Sequence, residues 1–176
     1  MKEIIGDIWD YWETGYPICI TINGFVKRNG EAMMGRGVAL QAKQRFPHLP
    51  QLLGTRIRQH GWQRVTYWGP GLRLITFPVK RDWSYSDGTN VVQHLQHKFP
   101  CGSRVPGWAL KAELQIIEES LRRLDKLRKR ELGAHIDIVL PRPGCGAGEL
   151  EWQDVFLSCA AYGDWLHIIT LPESDF

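Results

Sequence analysis

The side chains and turns of this 176-residue chain that could do chemistry are few and widely separated. Lys80 closes the run Leu74-Ile75-Thr76-Phe77-Pro78-Val79-Lys80 and precedes Arg81-Asp82-Trp83. A lysine at the carboxyl end of a strand, walled by aromatics, becomes a nucleophile when desolvation lowers its pKa. From this fragment alone a solvated surface lysine is the simpler reading. Two glycine-rich stretches stand on either side of it in sequence. One is Met34-Gly35-Arg36-Gly37-Val38-Ala39-Leu40, preceded by Ile22-Asn23-Gly24; the other is Pro141-Arg142-Pro143-Gly144-Cys145-Gly146-Ala147-Gly148-Glu149-Leu150-Glu151-Trp152. Each follows an apolar run and leads into a helical pattern. A strand, a glycine turn and a helix N-terminus present free backbone N–H groups and the positive end of a helix dipole. One such loop is a weak sign of phosphate binding; two on one sheet could grip a pyrophosphate from both sides.

Asp7 follows a short apolar run, where a carboxylate can accept an exocyclic amine such as adenine N6, although a turn or N-cap aspartate is the stronger reading of the residues alone. Asn23 stands where a strand meets the first glycine loop. Its amide can bridge loop backbone and ribose hydroxyls, or simply make an Asx turn, and the two readings are balanced. The glycine spacings match neither G-x-G-x-x-G nor G-x-x-x-x-G-K-[ST], which sets aside dinucleotide redox chemistry and NTP hydrolysis. His94, His97 and Cys101 fit no standard zinc spacing. The basic run Arg122, Arg123, Lys126, Arg128, Lys129, Arg130 reads as a solvated helix face.

The elements that must position these groups alternate. Strand-like runs cover Lys2–Ile5, Pro17–Ile22, Val65–Trp68, Leu72–Pro78, Ile136–Leu140 and Leu166–Leu171. Several are continuously apolar, as strands covered on both faces are. Helical patterns cover Gly37–Phe46, Leu49–Gln59 before Gly61, Ala109 to about Leu132, and Trp152–Tyr162. On the long one, Leu110, Leu114, Ile117, Leu121 and Leu124 form a single stripe, and Glu118–Arg122 and Glu119–Arg123 are expected i,i+4 pairs. This alternation predicts a three-layer α/β/α sandwich with a mixed, mostly parallel central sheet. Ligands of such sheets bind outside the carboxyl ends of the strands. Arg81–Trp108 breaks the rhythm with Trp83, Tyr85, Trp108 and a short helical stretch at Asn90–Lys98, and reads as an insertion, lid or extra wall.

Composition agrees with a single domain over 1–176: 43% hydrophobic and 23% charged residues, with a formal charge of +3. That charge suits an anionic ligand but is too small to argue for nucleic acid by itself. Four scattered cysteines read as reduced thiols, with Cys19 and Cys159 as small buried hydrophobes. The opening residues are too short and acidic for a signal peptide, and no run approaches the ~20 apolar residues of a membrane span, so a cytoplasmic protein without a membrane partner is expected.

Taken in order, Gly6-Asp7-Ile8, the strand ending at Asn23, Met34 to Leu40, and Leu140-Pro141 before Gly144-Cys145-Gly146 with Trp152 resemble the macro domain over nearly the whole chain. Phe77-Pro78-Val79-Lys80 and Gly144 to Trp152 look like its ADP-ribosyl-hydrolase branch, which includes the human terminal ADP-ribose hydrolase and an antitoxin that removes ADP-ribose from DNA bases. The resemblance implies a bound ADP-ribose. Asp7, assisted by the Ile8 backbone, would hold adenine, and Asn23 would lie against the ligand. Met34, Gly35, Gly37, Val38, Ala39 and Leu40, with Gly144, Cys145, Gly146, Ala147, Gly148 and Leu150, would surround the diphosphate and distal ribose. Lys80 matches the lysine this branch uses at the anomeric carbon, which makes it the leading catalytic candidate. In the human enzyme an aspartate in the second loop assists the lysine; here that position is Gly148, as in the antitoxin-like members, and Glu149 is assigned no role.

The function implied is hydrolysis of the bond between ADP-ribose and a modified macromolecule, a DNA base or a protein side chain. The alternatives are an ADP-ribose 1″-phosphate phosphatase and a non-catalytic ADP-ribose reader. No cofactor and no metal are expected. The implied partners are ADP-ribose or an ADP-ribosylated macromolecule, DNA among them, and a cognate ADP-ribosyltransferase toxin, for a protein expected to be a monomer.

Overall fold

The computed structural model describes residues 1–173, so the last three residues of the expected 1–176 domain lie outside the described residues. Its frame is a six-stranded sheet. Strand β1 (Lys2–Ile5) lies at one edge, followed in space by β8 (Leu166–Thr170), β7 (Ile138–Pro141), β2 (Ile18–Ile22), β4 (Leu74–Pro78) and β3 (Thr66–Tyr67). All neighbouring pairs are parallel except β3 with β4. The expected mixed, mostly parallel sheet is thus the observed one.

Alternation along the strands builds the layers. Ile18, Ile20 and Ile22 of β2, Leu74 of β4 and Val139 of β7 face the cluster made with α1 (Ile8–Glu13), α2 (Gly37–Arg45) and α3 (Leu49–His60). Cys19, Ile75, Phe77, Ile138 and Leu140 face the other way, against α5 (Leu114–Leu127) and α6 (Trp152–Ala160). A short α4 (Gly69–Leu72) turns the chain into β4. Because both faces of the central strands are covered, their side chains are apolar almost without interruption, which is why they were legible as buried strands. Among the described residues no helix is long and apolar enough to cross a membrane.

Three expectations need correction. The long helix does not begin at Ala109: a 3-10 turn covers Gly107–Ala109 and α5 begins only at Leu114. Between them the chain is pinned to its surroundings, with the Ala112 N–H donating to Gly148 O (3.0 Å) and Glu113 N–H to Val79 O (3.2 Å). The helix then ends in a π-helical turn at Arg128–Leu132. Arg128 is no member of a solvated face: it is 5% exposed, lies over the Trp165 ring at 4.3 Å and donates to Ala134 O and Asp125. Finally, Glu118 does not pair with Arg122. It accepts from Ser158 Oγ on α6 (3.0 Å), and Glu119 takes both Arg122 and Arg123.

The Arg81–Trp108 segment is ordered. Strands β5 (Trp83–Tyr85) and β6 (Arg104–Pro106) pair antiparallel, and a 3-10 turn at Gln93–Lys98 lies between them. Val91, Val105, Ala109 and Leu110 form a separate small core, with Leu95, Phe99 and Trp108 packed against it.

Candidate functional site

Five parallel strands bring their carboxyl ends to one edge of the sheet, and the candidate residues follow those ends. Asp7 comes after β1, the second glycine stretch after β7, Asn23 and the first glycine stretch after β2, and Lys80 after β4. Neighbouring strands are ~4.8 Å apart, so four spacings separate Asp7 from Lys80 by about 19 Å. The two glycine stretches fall between them. The edge is therefore a linear array: carboxylate, two glycine walls, lysine.

Lys80 is the chemically distinctive group. Although it leaves the sheet at a loop, it is only 6% exposed. Its ammonium donates to the carbonyls of Ala147 (2.9 Å) and Trp108 (3.4 Å), one in the second glycine stretch and the other at the end of the insertion. Burial pushes its pKa from the ordinary 10.5 down to about 8; the negative charge of Glu149 opposes the shift and the positive charge of Arg36 adds to it. At pH 7 about a tenth of such an amine is neutral. The surface-lysine reading fails because the burying groups arrive from positions 108 and 147.

The first wall is the start of α2. Its N-cap residue, Arg36, is extended and no side chain caps the first turn, which also carries no acidic residue. The N–H groups of that turn are left for an outside acceptor, and the dipole favours an anion there. Gly35, Arg36 and Gly37 are exposed, Val38 and Leu40 half-buried, and Ala39 and Met34 buried. Met34, 2% exposed, packs into the core with Ile22 and supports the loop from beneath.

The second wall is a tight turn. Gly144 has φ +76, and a Cβ there would come within 2.9 Å of Ala112 and Ile117. At Gly148 a Cβ would lie 2.5 Å from the Ala112 Cβ and from Gly144 O. An aspartate has no room at this position, so the glycine is a packing requirement. Gly146 has open space around it. Among the described residues, the N–H groups of Gly146, Ala147 and Gly148 have no backbone or side-chain acceptor. Burial pushes the Cys145 thiol up to about 11, which holds it protonated at neutral pH.

Asp7 caps α1, accepting from Trp9 N–H (2.9 Å), and the second carboxylate oxygen stays available in an exposed residue. Ile8 is buried, its side chain part of the core cluster on the α1–α3 side of the sheet. Asn23 makes the Asx turn: it accepts from Phe25 N–H (2.9 Å) and donates to Met33 O (3.2 Å), tying the end of β2 to the first glycine stretch. Leu150 is half-buried against the α5 side of the sheet and donates its N–H to Gly144 O. His94, His97 and Cys101 form no metal site; among the described residues no three His, Cys, Asp or Glu side chains stand together for one. His94 Nε2 instead lies 3.2 Å from the Arg36 guanidinium. Arg36, Trp108 and the backbone of Ala147 were not singled out by sequence for the roles they hold here, since nothing local marks them.

A separate cavity of about 670 Å³ has a lining that includes Phe25, Arg28, Arg58, Asp82, Trp83 and Arg104. Arg104 stacks on Trp83 at 4.2 Å, and Trp83 meets the exposed Tyr85 edge to face at 5.3 Å.

No protein-family model matches the sequence, and no curated protein matches it. Solved structures do match in shape. The macrodomain of Mycobacterium tuberculosis DarG superposes with a TM-score of 0.65 at 20% identity, over 98% of this chain and 97% of that one. The macrodomain of Thermus aquaticus DarG gives 0.64 at 21%, over 98% and 97%. Thermosipho africanus DarTG in complex with ADP-ribose gives 0.66 at 18%, over 99% of this chain but 42% of that one. With its five parallel strands, its antiparallel edge strand and its glycine loops at one sheet edge, the chain has the macrodomain fold.

Proposed function

We propose that the sheet edge binds ADP-ribose and that the chain hydrolyses the bond between ADP-ribose and a modified macromolecule, with Lys80 as nucleophile. The observation that carries this reading is the buried Lys80 amine, held between a carbonyl of the second glycine stretch and one of the insertion, with its pKa lowered to about 8. The order of groups along the edge fits the ligand. The free oxygen of Asp7 faces an exocyclic amine of adenine, beside Ile5 and Leu171, which are 72% and 73% exposed at neighbouring strand ends. The uncapped start of α2 and the Gly146–Gly148 N–H groups receive the diphosphate, and the distal ribose reaches Lys80. The fold match to a DarTG structure in complex with ADP-ribose supports the same assignment.

In the reaction the neutral amine attacks the anomeric carbon, and the furanose ring of the resulting glycosylamine opens to an imine. A C–N bond forms, the bond to the acceptor breaks, and the acceptor departs with the proton. Water then adds at the same carbon and the C–N bond breaks, giving ADP-ribose, free acceptor and the regenerated amine. The diphosphate would favour the charged amine, and burial offsets it. The cavity lined by Arg28, Arg58 and Arg104, which Asp82 also lines, offers cations to the phosphates of a nucleic-acid acceptor, and this supports that acceptor over a protein side chain.

The test is parallel incubation with ADP-ribosylated DNA, ADP-ribosylated protein and ADP-ribose 1″-phosphate. The wild type should release ADP-ribose from the first, and Lys80→Ala should lose at least about a thousandfold in kcat while its ADP-ribose Kd changes by less than about fivefold. Borohydride should trap an adduct on Lys80 alone. Wild-type turnover by Lys80→Ala would sink the mechanism, and binding without release from any substrate would leave an ADP-ribose reader.

A further inference from the structure

Glu149 is a glutamate in a backbone conformation that favours glycine. Its φ is +60, immediately after Gly148. A non-glycine residue held in the left-handed region needs surroundings that over-determine it, and such residues gather at functional sites. Here the surroundings are visible. Both carboxylate oxygens of Glu149 accept the backbone N–H of Gln93, at 3.0 and 2.9 Å. The next residue, His94, is held from the other glycine stretch by the Arg36 guanidinium at 3.2 Å. Two consecutive residues of the insertion are therefore gripped by the two walls, one each. Behind them Val91 and Val92 are buried and Val92 N–H donates to Ala109 O, which fixes the base of the segment while Gln93 and His94 stay at the surface.

We propose that Gln93–His94 is a clasp across the mouth between the two glycine walls, and that Glu149 is the positioning residue that holds it shut over a bound ADP-ribose. The left-handed backbone turns the Glu149 side chain out of the loop and onto the Gln93 amide. Both contacts are exposed, and exposed polar contacts are individually weak, so the clasp can open for entry and release. Closing it orders the walls around the ligand and excludes water from the Lys80 end. Glu149 and Arg36 also act on Lys80 with opposite signs, so both ends of the clasp lie within electrostatic reach of the amine.

The ligand half of this inference rests on the ADP-ribose reading; the clasp itself does not, and the experiment separates them. Amide hydrogen exchange is measured on the ligand-free wild type, Glu149→Gly and Glu149→Gln. Glycine removes the carboxylate and accepts φ +60 without strain, so that variant should fold with an unchanged or higher Tm. Its Gln93–Lys98 amides should exchange about tenfold faster, with the sheet unaffected. Glutamine keeps one acceptor oxygen and loses the charge. It should hold the clasp nearly as well as the wild type while moving the acid limb of the rate profile to lower pH, a split that a merely structural role would not produce. With ADP-ribose as probe, dissociation should quicken about tenfold in Glu149→Gly and far less in Glu149→Gln. Unchanged exchange at 93–98 in Glu149→Gly overturns the clasp. Absence of ADP-ribose binding in all three proteins overturns the reading of the cleft, while the exchange comparison still decides the clasp.

Discussion

At the scale of the residue, Lys80 sets stability against chemistry. A lysine whose folded pKa is about 8 against an ordinary 10.5 binds its proton less well folded than unfolded. Below pH 8 the folded state therefore carries the whole cost of burying a charge, and the cost is relieved as pH rises toward 10.5, because the unfolded chain binds more protons across that window. At 1.36 kcal/mol per pH unit, the gap between about 8 and 10.5 amounts to about 3 kcal/mol. Lys80→Met should accordingly be more stable than the wild type at pH 7 by up to that amount. The advantage should shrink in denaturant melts repeated between pH 8 and 10.5, the window set by the two pKa values. A variant less stable at every pH would mean that the two carbonyl contacts outweigh desolvation. None of this was legible locally. The sequence marks Lys80 as a strand-end lysine, and only the return of Trp108 and Ala147, 28 and 67 residues further on, makes it a buried one. Asn23 and Asp7 were more readable, because an Asx turn and an N-cap are local bonds that span two residues.

At the scale of the element, legibility follows periodicity. Nearly uninterrupted apolar runs, expected of strands covered on both faces, marked β2, β4, β7 and β8, and the apolar stripe marked α5. The stripe misplaced the start of α5 because Leu110 is apolar for another reason: it belongs to the small core under the insertion, not to the sheet. Helix α1 escaped notice since six residues are too few for a period. The insertion was readable as an interruption but not as a hairpin, as strands of three residues show no alternation. Its core predicts its behaviour. Val105 is fully buried there, and Val105→Ala should cost about 2 kcal/mol through lost contacts and residual cavity. That loss should appear first as faster hydrogen exchange over residues 83–110, with the central strands protected as before. Uniform loosening of the sheet would show that the insertion is not a separate unit of stability.

At the scale of the whole molecule, the parallel sheet converts chain order into a line of groups at one edge. Asp7 and Lys80 sit at its two ends, about 19 Å apart by strand spacing. Groups so far apart should act on different parts of catalysis. Removing the proposed adenine contact would take away binding that substrate and transition state share, so Asp7→Ala should raise KM about tenfold and leave kcat within about twofold. Steady-state kinetics on the same ADP-ribosylated DNA would check it, and a large fall in kcat would place Asp7 in the chemistry instead. Asp7 also caps α1, so a thermal melt should accompany the kinetics; the lost cap is worth about 1 kcal/mol.

The small core of the insertion has an evolutionary meaning as well. Residues 91, 105, 109 and 110 bury one another apart from the two large clusters on the sheet. The outward side of this hairpin, with Trp83, Tyr85 and Arg104, can accumulate substitutions without disturbing either cluster or the strand ends below. On the proposed reading, the part that would meet the acceptor is in that sense exchangeable, and the part that would hold the nucleotide is not. Substitutions in the hairpin would then alter which acceptor is taken while leaving the ADP-ribose cleft as it is.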